Sequence, residues 1–136
     1  MLISQFLYLI SLHYNLGIKK EKEELRLNIV LLIGRLTHDV EIKEYPNGNV
    51  ARVTLAVRRE FKNSDGLYDT DFFPITLWEG IATTCKEYCR KGSLISIKCR
   101  LQMNRWESSD GKTNNTIELI GETITLLTPN KIQSKE

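Results

Sequence analysis

The sequence predicts an all-β fold, a single five-stranded barrel with one helix between its third and fourth strands. Three observations carry this reading. Long runs alternate at period two, as in Ala51, Val53, Leu55 and Val57 against Arg52, Thr54, Ala56 and Arg58. Between residues 27 and 129 only one stretch, Glu79 to Lys91, repeats its apolar residues at helical spacing. Compact turn signals, Pro46-Asn47-Gly48-Asn49 and Asp110-Gly111, separate the runs.

Taken in order, Leu27 to Thr37 reads as a strand. Its five consecutive aliphatics, Ile29, Val30, Leu31, Leu32 and Ile33, ask for burial on both faces, one against the core and the other under a second subunit. Gly34 interrupts them and marks a bulge or a close backbone approach. Val40 to Tyr45 alternates into the Pro46 turn, and Val50 to Phe61 is the next strand, with Arg58, Arg59 and Lys62 around Phe61 where it runs out. Asn63-Ser64-Asp65-Gly66 is a loop. In Asp71 to Trp78 the period of two puts Phe73, Ile75 and Leu77 on one face and Phe72, Thr76 and Trp78 on the other. Pro74 lacks a ladder donor and must lie at an edge or a bulge. Ile81, Ala82, Cys85, Tyr88 and Cys89 form one helical stripe, closed by Lys91-Gly92. From Leu94 to Trp106, Ile95, Ile97, Cys99 and Leu101 face inward, while Ser96, Lys98, Arg100, Gln102, Asn104 and Trp106 face outward. Ser108 to Asn115 is a hairpin loop, and Ile117 to Leu127 is the last strand, its period slipping at a bulge near Gly121. Five strands with a helix between the third and fourth describe an OB-fold barrel.

With 136 residues the chain can bury a core without disulfides or metal. The formal net charge is +2, and from Asn28 to Asn130 thirteen basic and thirteen acidic residues cancel, so any nucleic-acid reading rests on where charges sit. Cys85, Cys89 and Cys99 are odd in number, form no C-x-x-C and have no histidine nearby, since the two histidines are His13 and His38. They read as buried reduced thiols in a reducing cytosol rather than metal ligands, and no cofactor is expected. No nucleophile–base pair can be argued from spacing, so catalysis is not expected. Asp65, Asp69 and Asp71 read as loop-solvating acids rather than a cation site.

Rings expected outward are Phe61, Phe72, Trp78 and Trp106, beside the cations Arg58, Arg59, Lys62, Lys98, Arg100 and Arg105. The Phe72–Trp78 run alone leaves two readings open: core rings packing a strand, or a face that stacks unpaired bases. Rings together with cations suit non-specific single-strand binding, without telling DNA from RNA.

Residues 28–127 resemble the bacterial single-stranded DNA-binding protein family of homotetrameric OB-fold type. The resemblance runs through residues 28–37 (Asn-Ile-Val-Leu-Leu-Ile-Gly-Arg-Leu-Thr), Pro46-Asn47-Gly48, Thr54-Leu55-Ala56-Val57, Asp71-Phe72, Tyr88-Cys89-Arg90-Lys91-Gly92-Ser93 and Gly111. It implies that bases stack on Phe61, Phe72, Trp78 and Trp106, and that Arg105 and Lys91 line the DNA path. Arg35, Arg52, Arg58 and Arg100 are further candidates, which a solvated strand face would also explain. It implies a cytoplasmic, nucleoid-associated homotetramer that coats single-stranded DNA in replication, repair and recombination, its first strand pairing with its own copy. The family's acidic, apolar-ended tip is not found in the polar tail at residues 130–136. The expectation is therefore DNA coating without recruitment of replication and repair proteins, as in an accessory paralogue or a copy carried by a phage or mobile element. The competing reading is an OB-fold adaptor of primosomal type, acting through protein contacts.

Residues 1–26 stand apart. Met1 to Ile18 is apolar with polar interruptions, and Lys19 to Glu24 is a charge run. The order is wrong for a secretory signal and the stretch too interrupted for a confident membrane span, and no membrane partner is expected. A short amphipathic helix, a weak anchor and a mis-assigned start remain. The last is favoured here: Lys22-Glu23-Glu24 can be encoded like a bacterial ribosome-binding site, and Leu27 can derive from a leucine-type start codon. A Ser4–Lys19 peptide recovered from the source cell would end that reading.

Overall fold

The computed structural model describes residues 2–14, 19–21 and 24–128. A helix α1 (Leu2–Tyr14) and a small antiparallel pair, β1 (Lys19–Glu21) and β2 (Glu24–Arg26), come first. Then follow β3 (Val30–Leu36), β4 (Ile42–Tyr45), β5 (Gly48–Lys62), β6 (Tyr68–Trp78), α2 (Glu79–Tyr88), β7 (Leu94–Glu107) and β8 (Thr113–Leu126). The polar tail expected at residues 130–136 lies outside the described residues. No described helix is long and apolar enough to cross a membrane.

The larger sheet runs β3-β7-β8-β6-β5-β4, and an extra pairing of β3 with β5 closes it. The barrel strands are thus β3, β5, β6, β7 and β8, with α2 between the third and fourth. The short β4 pairs with β5 as an added arm. Closure takes place at the end of β3. Val30 to Arg35 pair with β7, while Arg35 and Leu36 also pair with Ala56 and Leu55 of β5. Gly34 makes this possible: a Cβ there would run into the Ala56 carbonyl oxygen and lie 3.0 Å from Leu55 Cγ and Val57 Cγ2. This is the close approach expected of Gly34.

Alternation then decides the core. Leu36, Val53, Leu55, Ile75, Leu77, Ile95, Ile97 and Cys99 are buried inside the barrel, and α2 adds Ala82 and Cys85. Burial, with Cys89 alongside, pushes the Cys85 thiol up to about 12, and burial pushes Cys99 up to about 11, so both stay neutral. The expected bulge is present: Cys99 pairs with Gly121 but Lys98 with Thr123, which leaves Glu122 extra. Pro74 pairs with Thr54 on one side, while pairing to β8 begins only at Ile75, so the missing donor falls on an open edge.

Some expectations need correction. The helix stops at Tyr88 rather than Lys91, because Cys89 turns extended (φ −118°, ψ 154°) to enter the core. Tyr88, expected on the apolar stripe, is exposed. Gly92 (φ +87°) serves the following turn, donating its N–H to Leu36 O at 2.8 Å. Leu101, expected inward, is exposed because pairing of β3 with β7 ends at Val30–Cys99 and the β7–β8 hairpin overshoots the barrel. There the Asn28 side chain stands in for backbone, donating to Leu101 O at 2.7 Å and accepting from Leu101 N at 2.8 Å. The first strand itself is shorter than the expected Leu27 to Thr37.

Gly34→Ala is expected to cost about 1–3 kcal/mol, because the barrel seam must open to admit the methyl group. Urea unfolding checks this, as a lower midpoint at unchanged slope.

Candidate nucleic-acid interface

Residues opposite one another in a sheet project to the same side, so the register maps the barrel's outer surface. One cross-strand row holds Arg35, Ala56 and Phe72. A second holds Arg52, Thr76, Ile120 and Arg100. A third pairs Val50 with Trp78, and a fourth Arg58 with Thr70. Phe72, Thr76 and Trp78 therefore share one face of β6, between cations on β5 and β7. Trp106 continues the Arg100 face of β7 out along the hairpin, opposite Asn114.

All four expected rings are exposed: Phe61 70%, Phe72 62%, Trp106 53% and Trp78 38%. Phe61 owes its place to a slip in register between Arg58 and Lys62, after which strict alternation no longer holds. Phe73, Ile75 and Leu77 turn the other way, Phe73 half-buried and the other two fully buried.

The cations divide into those already engaged and those left to a ligand. The Arg59 guanidinium holds Asp71 through two hydrogen bonds of 2.9 Å and lies 3.7 Å from Asp69. The hydrogen bond and charge of Asp71 raise Arg59, and the same hydrogen bond lowers Asp71. Asp69 also accepts from Asn63 at 3.0 Å. These acids thus brace the β5–β6 hairpin rather than merely solvating it. Arg100 donates to Gln102 Oε1 at 2.9 Å and lies 3.9 Å from Glu122. Arg35 donates to Gly92 O at 2.8 Å, which ties it to the turn carrying exposed Lys91. The Lys91 backbone N–H is held by Asp39 at 2.7 Å. Arg105 is exposed but alternates with Trp106, so it leaves the hairpin on the opposite face. The Arg52 side chain makes no hydrogen bond or salt bridge among the described residues, and its charge acts on Glu118.

Two residues of the face escaped the sequence reading. Tyr68 lies four residues before Phe72, hence on its face, and the Arg58 guanidinium sits over its ring at 4.0 Å, with Lys62 Nζ at 5.8 Å. The even spacing to Phe72 was the available signal. Glu118 is the other. Its Oε1 accepts the Thr76 hydroxyl at 2.5 Å and its Oε2 accepts the Asn104 amide. Partial burial opposes its ionisation, but these two donors and the charges of Arg52 and Arg100 outweigh it and hold the carboxyl below its ordinary value. An outward glutamate in a strand carries no sequence signal of this. Arg52, Pro74, Thr76, Asn104, Trp106, Thr116, Ile117 and Glu118 line a groove of about 340 Å³. Among the described residues no group of three or more His, Cys, Asp or Glu could hold a metal ion.

A closed OB-fold barrel with an outward face of rings and cations defines the class. The sequence profile of the single-strand binding protein family matches residues 27–127, and the chain belongs to that family. It is 38% identical over 103 residues to single-stranded DNA-binding protein B of Bacillus subtilis, covering 75% of this chain and 91% of that protein. It is 39% identical over 104 residues to the single-stranded DNA-binding protein of Bacillus cereus, covering 76% of this chain and 61% of that one. To single-stranded DNA-binding protein 2 of Staphylococcus aureus it is 38% identical over 104 residues, covering 76% and 74%. The crystal structure of Rim1, a mitochondrial single-stranded DNA-binding protein of Saccharomyces cerevisiae, superposes with a TM-score of 0.58 over 75% of this chain and 96% of Rim1. At 19% identity that likeness concerns the fold alone.

Proposed function

We propose that this chain binds single-stranded DNA without reading a defined sequence, coating it during replication, repair and recombination. It is a binding protein rather than an enzyme, as its family is. The observation that carries the proposal is the placement of Phe72, Trp78 and Trp106 on outer strand faces, exposed and flanked by Arg52 and Arg58. Exposed rings stack on bases whatever their identity, and exposed cations meet phosphates. Such exposure also speaks against the core reading of these rings. The adaptor reading would leave the face without affinity for DNA.

Tryptophan fluorescence titrated with oligo-dT at several salt concentrations tests this. Strong quenching is expected, and Trp106→Ala is expected to cost about 1–3 kcal/mol of affinity at unchanged melting temperature. A lower melting temperature at unchanged affinity would refute the stacking role. Arg52→Ala is expected to reduce the slope of log affinity on log salt by about 0.7, the share of one phosphate contact. Arg59→Ala is expected to leave that slope alone, its guanidinium being taken by Asp71 and Asp69.

We further propose a homotetramer in which β3 meets its copy. Along Val30–Ile33 the edge of β3 away from β7 has no partner among the described residues. Leu31 and Ile33 are 60% and 59% exposed, while Val30 and Leu32 pack on the core. An open edge with an apolar outer face is a template for pairing. Leu31→Glu with Ile33→Glu is expected to turn a tetramer into smaller species in sedimentation analysis. A wild-type protein that sediments as a monomer at all concentrations would overturn the assembly.

A further inference from the structure

The chain changes direction sharply where β6 ends. Trp78 is still extended (φ −110°, ψ 145°), and Glu79, the first residue of α2, stands in the left-handed region at φ +49°. Among the described residues Glu79 is the one non-glycine with a positive φ. An L side chain crowds the backbone in that conformation, and glycine does not. The glycine of this turn, Gly80, comes one position later, where an added Cβ would meet nothing within 4 Å. A side chain retained in a strained conformation is held there by its surroundings.

What holds it is a contact across the sheet. Glu79 folds back onto the start of β5, where its Oε1 accepts the Asn49 N–H at 3.1 Å. Asn49 precedes Val50, the residue paired with Trp78. The latch thus ties the residue after the ring to the residue before the ring's cross-strand partner. Gly48 completes the fit. A Cβ there would run into Glu79 Oε1, and would lie 3.2 Å from Glu79 Cδ and 4.0 Å from Trp78 Cε3. The carboxyl group and the edge of the indole therefore share the space beside Gly48. An acid in the first turn of a helix also complements the helix dipole. That role needs no left-handed backbone and no contact with β5.

We propose that Glu79 is a positioning residue for Trp78: by latching the start of α2 to β5 it holds the indole in the orientation in which it stacks on a base. This rests on the reading of the face as a single-strand DNA surface. Trp78 is the last residue of β6 and is 38% exposed, so no following strand residue confines its ring. A ring held beforehand loses less freedom on stacking, and the latch is thereby expressed as affinity. Glu79 acts through Trp78 and not by contact with DNA, since a carboxylate would repel a phosphate.

The chain has two tryptophans, so Trp78 can be observed alone in a Trp106→Phe background. The readouts, all on the full chain, are the fluorescence anisotropy of Trp78 without DNA, the affinity for oligo-dT and the melting temperature. Glu79→Ala removes the acceptor and is expected to lower the anisotropy and to weaken binding roughly fivefold, the effect of ordering one side chain on binding. Glu79→Gln keeps an oxygen acceptor and is expected to restore both. Glu79→Gly removes the latch and the backbone strain together, so it is expected to melt near the parent protein and still to bind as weakly as Glu79→Ala. Parent-like anisotropy and affinity in Glu79→Ala would overturn the proposal. Tighter binding in both Glu79→Ala and Glu79→Gln would overturn it and leave Glu79 as a charge that repels phosphate. A lower melting temperature in Glu79→Ala with unchanged anisotropy would overturn it and leave a structural tie. Wild-type protein that binds no oligo-dT would instead remove the DNA reading on which the proposal stands.

Discussion

Everything in this barrel depends on β3 pairing with two strands at once. Its last residues share backbone hydrogen bonds with β7 on one side and β5 on the other, at a point where no side chain fits. Closure removes most open sheet edges and gives every barrel strand an inside and an outside. The inside is then filled by Val53, Leu55, Ile75, Leu77, Ile95 and Ile97. The outside inherits whatever residues alternate with these, which is how Phe72, Trp78, Arg52 and Arg58 come to share a surface. Core and binding face are two sides of one alternation.

Charge on that surface is rationed rather than abundant. The domain's acids and bases cancel, so long-range attraction for a polyanion is weak, and exposed charges are screened within about 8–10 Å at ordinary ionic strength. Several basic residues are engaged internally: Arg59 by Asp71 and Asp69, Arg100 by Gln102 and Glu122, Arg35 by the Gly92 carbonyl. Arg58 lies on Tyr68, where its planar cation becomes part of an aromatic surface. Such a face relies on stacking for its affinity and on a few local cations for phosphate contact, and it can carry an ionised Glu118 without losing its character.

Much of this was legible in the residues. Gly34 and Pro74 each limit the backbone so strongly that a close approach and an open edge could be expected, and both are found. The slip near Gly121 announced a bulge, because a break in period two has few other outcomes. Local patterns failed where a residue's surroundings lie far away in sequence. Leu101 fits an inward pattern but sits beyond the end of β3, which pattern cannot show. Tyr88 fits a helical stripe that the chain leaves one residue later to bury Cys89. Arg105 looks like a neighbour of Trp106 and projects to the other side.

The sequence by itself determined the barrel, its single helix, the family and which rings turn away from the core, because alternation, turn chemistry and glycine placement act between near neighbours. Only the tertiary structure decided which cations are left to a ligand, that Arg58 rests on Tyr68, and that Glu118 stands between Thr76 and Asn104. Those are contacts between residues as many as 57 positions apart, and the register that creates them exists only once the barrel has closed.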